Sequence, residues 1–300
     1  MTRAIIITNP AAARSDEAHL LAARQRLVEG GLSVEIARTR GPGDGERLAR
    51  AALADGVELL IAHGGDGTAM DVAAALIGTE LPLGLLPAGT GNLLAGNLRI
   101  SRSWRAAAEV ILARTPRPLD IGRLTTSEGV RHFAVACGAG FDAELMRDTA
   151  SHHKRAFGMG AYVATAVGLA TSITRAHLRL EVDGTALEAK AAVILIANCG
   201  ELIPGLLQIR PDIRPDDGVF DVAILDAASF PGAARVLWQM LLRNPAGGSG
   251  ITFLRATTVR VSAEPPLPVQ ADGEAGGSTP MAVELLPRAL YVLAPRGAQG

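Results

Sequence analysis

Through the first third of the chain, short apolar runs of strand length alternate with stretches whose apolar positions recur at helical spacing. The pattern predicts strands over 3–8, 32–38, 58–62 and 82–86. Helices are predicted near 15–29, 45–54 and from about 68 to 77, with further helical segments to about 114. A βα repeat of this kind implies a mainly parallel sheet with helices on both faces. Ligands of such sheets collect beyond the carboxyl ends of the strands.

From about residue 118 the runs become longer and helices rarer. Strands are expected over 119–125, 131–137, 177–182, 189–197, 219–225, 257–261 and 283–286. Helical interruptions fall at 157–173 and 231–243, and Gly247-Gly248-Ser249-Gly250 reads as a flexible connection. The expected organisation is an α/β domain over 1–118 and a β-rich, antiparallel, sandwich-like domain over 119–287. Residues from about 288 to 300 can pack back on the first domain. The cleft between domains is the default place for an active site.

Composition narrows the classes. The chain has 300 residues, 48% of them hydrophobic, and a net charge of −1, which suits a globular protein and gives no basic field for nucleic acid. Cys137 and Cys199 sit in apolar runs without metal-ligand spacing, so they read as buried thiols of a reducing compartment. The N-terminal apolar run reaches Asn9-Pro10 too soon for a signal-peptide core, and no uninterrupted apolar stretch approaches the ~20 residues of a span. A cytoplasmic location is expected, with peripheral contact at the inner membrane face left open.

Chemistry concentrates in glycine-rich turns. Gly64-Gly65-Asp66-Gly67-Thr68 follows one predicted strand, and Pro87-Ala88-Gly89-Thr90-Gly91-Asn92 follows the next. Glycine permits positive φ and close backbone approach, and successive N–H groups can cradle phosphate oxygens beside a helix N-terminus. Taken alone, each turn is equally well an ordinary strand-to-helix connection. Late in the chain, Val269-Gln270-Ala271-Asp272-Gly273-Glu274 places two carboxylates about a turn glycine, a pattern that also suits a plain surface hairpin.

Together with Asn9-Pro10, Asp120, Gly140-Phe141-Asp142-Ala143 and Asp216-Asp217-Gly218, these motifs make the chain resemble the diacylglycerol kinase catalytic-domain family. That family includes sphingosine kinases and bacterial YegS-like lipid kinases, and the likeness runs nearly end to end. It implies a nucleotide domain related to those of NAD kinase and phosphofructokinase, with ATP and Mg²⁺ as cofactors. The acceptor would be a lipid hydroxyl of diacylglycerol-like, phosphatidylglycerol-like or sphingoid type, presented at a membrane surface, and a homodimer is compatible with it.

By the same resemblance, Asp272 is the proton acceptor and Glu274 supports it. The nucleotide would be held by Asn9, Thr39, Gly64, Gly65, Asp66, Gly67, Thr68, Ala69, Met70, Asp71, Gly89, Thr90 and Asn92. Asp66, a poor direct partner for phosphate because like charges repel, would act through Mg²⁺ or its water, joined by Asp120. A structural magnesium would sit on Asp217 and the carbonyls of Arg214 and Val219.

The chain departs from the pattern at Leu93, where many bacterial members carry an acid, and at Ala11-Ala12-Ala13-Arg14, which lacks a Ser-Gly. His63 and the basic run His152-His153-Lys154-Arg155 carry no distinct signal. Two other functions stay open from sequence: a kinase of the NAD kinase type, and a non-catalytic nucleotide sensor of the same fold.

Overall fold

The computed structural model describes residues 1–140, 175–205, 207–226 and 251–296. The helices expected over 157–173 and 231–243, residues 141–143, the basic run at 152–155 and the connection at 247–250 lie outside the described residues. The chain divides into two compact units, Met1–Asp120 with Pro287–Gln299, and Ile121–Leu286.

In the first unit, β1 (Thr2–Thr8), β2 (Leu32–Arg38), β3 (Leu59–Gly64) and β4 (Pro82–Pro87) form a parallel sheet in the order β2-β1-β3-β4. At its β4 edge the chain's last strand adds Tyr291 and Val292, parallel to Pro82 and Leu83. β3 is buried at every position, which explains its continuous apolar run. Five helices connect and cover the strands: α1 (Glu17–Glu29), α2 (Asp44–Ala54), α3 (Asp66–Ala74), α4 (Leu93–Asn97) and α5 (Trp104–Ala113). Asp16 caps α1 by accepting the N–H groups of Ala18 and His19. α3 begins at Asp66, two residues before the predicted start, because Gly65 supplies the extended N-cap and an acidic residue suits the first turn.

The second unit is antiparallel. β5 (Pro116–Thr126) enters it from the first unit and pairs with β6 (Gly129–Phe133). It is followed by β7 (Ala136–Ala139), β8 (Ala176–Val182), β9 (Thr185–Ala191), β10 (Val193–Ala197) and the short pair β11 (Glu201–Ile203) and β12 (Leu207–Gln208). Then come β13 (Phe220–Leu225), β14 (Ile251–Ala256), β15 (Thr258–Glu264), β16 (Pro268–Ala271), β17 (Glu274–Ser278) and β18 (Met281–Leu293). One sheet runs β14-β13-β10-β7-β16-β17; in the other, β15 pairs with the first part of β18 and with β8, which pairs with β9. Between them lies a core that includes Phe133, stacked on Phe220 at 5.6 Å, with Ile194, Val222, Val259 and Val269. The α/β and β-sandwich classes expected from the pattern are both present.

Two predicted strands prove to be pairs. The run 189–197 breaks at Ala192, where the alternating exposure of β9 gives way to the fully buried β10 in the other sheet. The run 131–137 breaks between β6 and β7, and the freed backbone there faces Asp272, as described below. Strand β14 escaped the sequence reading, and β18 is longer than the predicted 283–286. Among the described residues, no helix is long and apolar enough to cross a membrane.

Candidate active site

The first unit brings together the ends of three parallel strands. Thr8 Oγ1 and His63 Nδ1 lie 2.8 Å apart, and the Asn9 N–H donates to the His63 carbonyl at 3.1 Å. Asn9 also closes its own turn by accepting the Ala11 N–H, while the Thr39 N–H donates to Thr8 O and the Arg14 N–H to Ala88 O. Burial pushes the His63 imidazole below its usual value, against a smaller opposing pull from Glu17, so it is a neutral structural link between strands.

The two glycine turns pack on each other. A β-carbon on Gly89 would lie 2.4 Å from Gly65 Cα, and one on Gly91 would lie 2.8 Å from Asp66 Oδ2. One on Gly64 would meet Thr68 Oγ1 at 2.4 Å, so the Thr68 side chain lies over the end of β3. None of Gly64, Gly65, Gly67, Gly89 and Gly91 has positive φ; in these turns that conformation falls to Asn92, at 52°. The positive-φ expectation for these glycines is therefore corrected: Gly65 and Gly89 are needed because their backbones touch, and Gly64 and Gly91 because the side chains of Thr68 and Asp66 lie against them. Asn92 locks its turn by accepting the Gly89 N–H at 2.9 Å and donating to the Gly89 carbonyl at 2.8 Å.

Asp66 ties the turns together. Its Oδ1 accepts the Leu94 N–H at 3.2 Å, and the N–H groups of Leu93 and Asn92 also face the carboxylate. Burial nevertheless raises its pKa above the usual carboxylate range, those N–H groups offsetting only part of the effect. Ala69 is buried beside it and Met70 half-buried, whereas Asp71 packs against α2, where a β-carbon on Gly45 would meet its Cβ at 2.7 Å. Sequence spacing gave no hint of Arg102, whose guanidinium donates to the carbonyls of Gly91 at 3.0 Å and Thr90 at 3.4 Å.

In the second unit, Asp272-Gly273 is the two-residue loop of the β16–β17 hairpin, with φ of 48° and 84°, the values of a type I′ turn. The Asp272 carboxylate reaches into the break between β6 and β7. There it accepts the N–H groups of Ala134 at 2.8 Å, Val135 at 2.9 Å and Ala136 at 3.0 Å. The Asp272 N–H donates to Ala136 O, and the Gly273 N–H to Gln270 Oε1. Three charge-assisted bonds fix the carboxylate in place. Burial, with a smaller contribution from this charge, pushes the thiols of Cys137 and Cys199 up, so both are inert core residues. Glu274 is exposed, its Oε2 3.9 Å from Arg131.

The carboxylates assigned to magnesium are engaged by groups of the protein itself. Among the described residues no three Asp, Glu, His or Cys side chains form a cation-binding group. Asp120 is fully buried and accepts the Arg288 N–H at 2.7 Å. Asp217 accepts the Val219 N–H on Oδ1 and the Arg255 guanidinium on Oδ2. Arg255 stands opposite Asp221 in the β13–β14 register, with 4.0 Å between their charged groups. In the loop of Arg214, Asp217 and Val219, the Arg255 guanidinium therefore competes with a cation for the Asp217 carboxylate.

An α/β unit with packed glycine turns beyond its strand ends, followed by a sandwich presenting a fixed carboxylate, has the parts of a two-domain kinase. Comparison with known proteins narrows that class. Residues 3–124 match the diacylglycerol kinase catalytic domain, and residues 135–294 match the YegS C-terminal NAD kinase beta sandwich-like domain. The chain therefore belongs to the diacylglycerol kinase family, a family of lipid kinases. It is 29% identical to a diacylglycerol kinase of Bacillus subtilis (strain 168), over 99% of this chain and 97% of that one. It is 30% identical to the "Probable lipid kinase YegS-like" of Pseudomonas aeruginosa, over 99% and 95%. A crystal structure from Bacillus anthracis str. Sterne shares the fold at a TM-score of 0.83 and 22% identity, covering 99% of this chain and 96% of that chain. The crystal structure of a diacylglycerol kinase from the same organism gives 0.76 at 19% identity, covering 99% and 98%.

Proposed function

We propose that this lipid kinase transfers the γ-phosphoryl group of MgATP to the hydroxyl of a diacylglycerol-like, phosphatidylglycerol-like or sphingoid lipid, with Asp272 as the general base. The observation that carries the assignment is the carboxylate at the β16–β17 turn, fixed by three backbone N–H groups. Phosphoryl transfer asks a protein mainly for position and charge stabilisation, and a carboxylate immobilised this way has its position set before substrate arrives. In the reaction the acceptor O–H loses its proton to Asp272, the new O–P bond forms, and the bond between the γ-phosphorus and the bridging oxygen breaks to release ADP.

The nucleotide phosphates are assigned to the turns at 64–68 and 89–92, where α3 adds its N-terminal dipole. Magnesium enters with ATP as part of the substrate and neutralises phosphate charge. Asn9, Thr39 and Thr68 frame this region, and Asp66 holds the two turns together. Membrane lipids supply the acceptor by peripheral contact.

The test is incubation with radiolabelled ATP and, separately, a lipid panel, NAD or no acceptor, with products resolved by thin-layer chromatography. Labelled phospholipid is the expected result. Exclusive labelling of NAD would replace the lipid acceptor with a soluble one, and nucleotide binding without transfer to any acceptor would make the chain a sensor.

A further inference from the structure

We propose that Arg102 is a positioning residue of the nucleotide site, acting on the backbone of the second glycine turn. Its guanidinium extends from the loop before α5 and donates to two consecutive carbonyls, Thr90 O at 3.4 Å and Gly91 O at 3.0 Å. A trans peptide points its N–H opposite to its C=O. Holding those two carbonyls on one side therefore turns the N–H groups of Gly91 and Asn92 to the other.

The Asn92 N–H faces the Asp66 carboxylate, which identifies the opposite side of the turn as the side of the paired glycine turns. Arg102 thus works from behind. It withdraws carbonyl dipoles that would repel phosphate, leaves the Gly91 N–H as the donor in their place while the Asn92 N–H holds Asp66, and adds a positive charge near the turn. Asn92 fixes the other end of the same turn through Gly89, so the loop is held at both ends by side chains. A single terminal nitrogen, Nη2, makes both bonds, since it carries two N–H groups and stays charged.

This rests on the assignment of the nucleotide to these turns, and the experiment separates the two claims. Steady-state kinetics in MgATP are measured for wild type, Arg102→Met and Arg102→Lys, together with amide hydrogen exchange over 89–93 in the nucleotide-free protein. In Arg102→Met, the KM for MgATP should rise about tenfold, the equivalent of one charge-assisted hydrogen bond, with kcat within about twofold. Exchange at Gly91 and Asn92 should quicken, and Arg102→Lys should recover part of both effects. Unchanged KM and unchanged exchange in Arg102→Met would overturn the role of Arg102. Faster exchange with an unchanged KM would also overturn it, because the turn would then be loosened without consequence for nucleotide. A wild-type chain that binds no nucleotide would instead sink the assignment of the site.

Discussion

Gly65 and Gly89, 24 residues apart in sequence and at the ends of adjacent parallel strands, touch backbone to backbone, and the contact is asymmetric. A β-carbon on Gly89 would lie 2.4 Å from Gly65 Cα, but one on Gly65 would lie 3.3 Å from Gly89 Cα. Backbone cannot swing aside as a side chain can. Gly89→Ala should therefore cost about 3 kcal/mol, the upper end of overpacking, while Gly65→Ala costs about 1 kcal/mol. Urea melts of the two variants give the comparison, and isothermal titration with MgADP should show the larger loss of affinity for Gly89→Ala. Equal destabilisation would mean that the two turns are not held by this contact.

Asp66 links those turns at a cost to stability. Its pKa lies above the usual value because burial penalises the charge more than the N–H groups of Leu94, Leu93 and Asn92 compensate. With the folded value above the unfolded one near 3.8, stability favoured by the protonated form is present below that value and is lost as pH rises through the folded pKa. Asp66→Asn keeps an oxygen for the Leu94 N–H and removes the titration. The variant should gain on wild type as pH rises from below 4 to neutrality, while losing nucleotide affinity, since a charge kept at a stability cost marks a functional carboxylate. Urea melts at acid and neutral pH check the sign.

How much of this was legible in the sequence differs by element. The parallel unit was readable because β1, β3 and β4 are continuous apolar runs closed by turn residues, and buried strands write themselves that way. The break at Ala192 was not, because Ala191 to Ala197 is uniformly small or apolar and nothing marks a change of sheet. The glycine turns were visible, yet their reason was hidden: contact between Gly65 and Gly89 depends on strand order, which one sequence does not state. The donors to Asp272 are backbone N–H groups of Ala134, Val135 and Ala136, whose side chains carry no signal at all. Arg102 was missed for a related reason, since its acceptors are carbonyls.

A second hairpin supplies an internal control for Asp272. Asp183-Gly184 joins β8 to β9 with φ of 46° and 80°, the same type I′ geometry, and its carboxylate also accepts backbone N–H groups, from Thr257 and Thr258. Burial opposes the ionised form, but the bonds from Thr258 and Thr257 outweigh it and hold the pKa below the usual range. Asp183→Asn should therefore lose stability contributed above pH ~4, by roughly 1 kcal/mol, with kcat unchanged. Asp272→Asn places an amide NH₂ against the Ala134 N–H, costing about 1–3 kcal/mol, and should in addition lower turnover at least ~10²-fold with nucleotide affinity within about twofold. Equal kcat in the two variants at a temperature where both are folded would reduce Asp272 to a structural turn residue.

In the Asp216-Asp217-Gly218 loop, the Arg255 guanidinium sits on the carboxylate that a cation would need. Arg255 is fixed there by strand register as well as by charge, because it pairs across from Asp221 on β13 and extends to Asp217. Asp221 is buried, and burial raises its pKa against the opposing pull of Arg255 and Arg210, so the local acids already depend on arginine for compensation. A chelator should then leave the melting temperature of the nucleotide-free protein within about 1 °C of its value in magnesium. Arg255→Met removes the compensating charge and should cost about 1–2 kcal/mol, lowering the melting temperature by about 2–6 °C. It also frees Asp217 from its positive neighbour, so magnesium should now raise the melting temperature of the variant. Calorimetric scans of both proteins with magnesium and with chelator decide the matter: a wild type that loses several degrees on chelation holds a metal in this loop, and Arg255 is then only its neighbour.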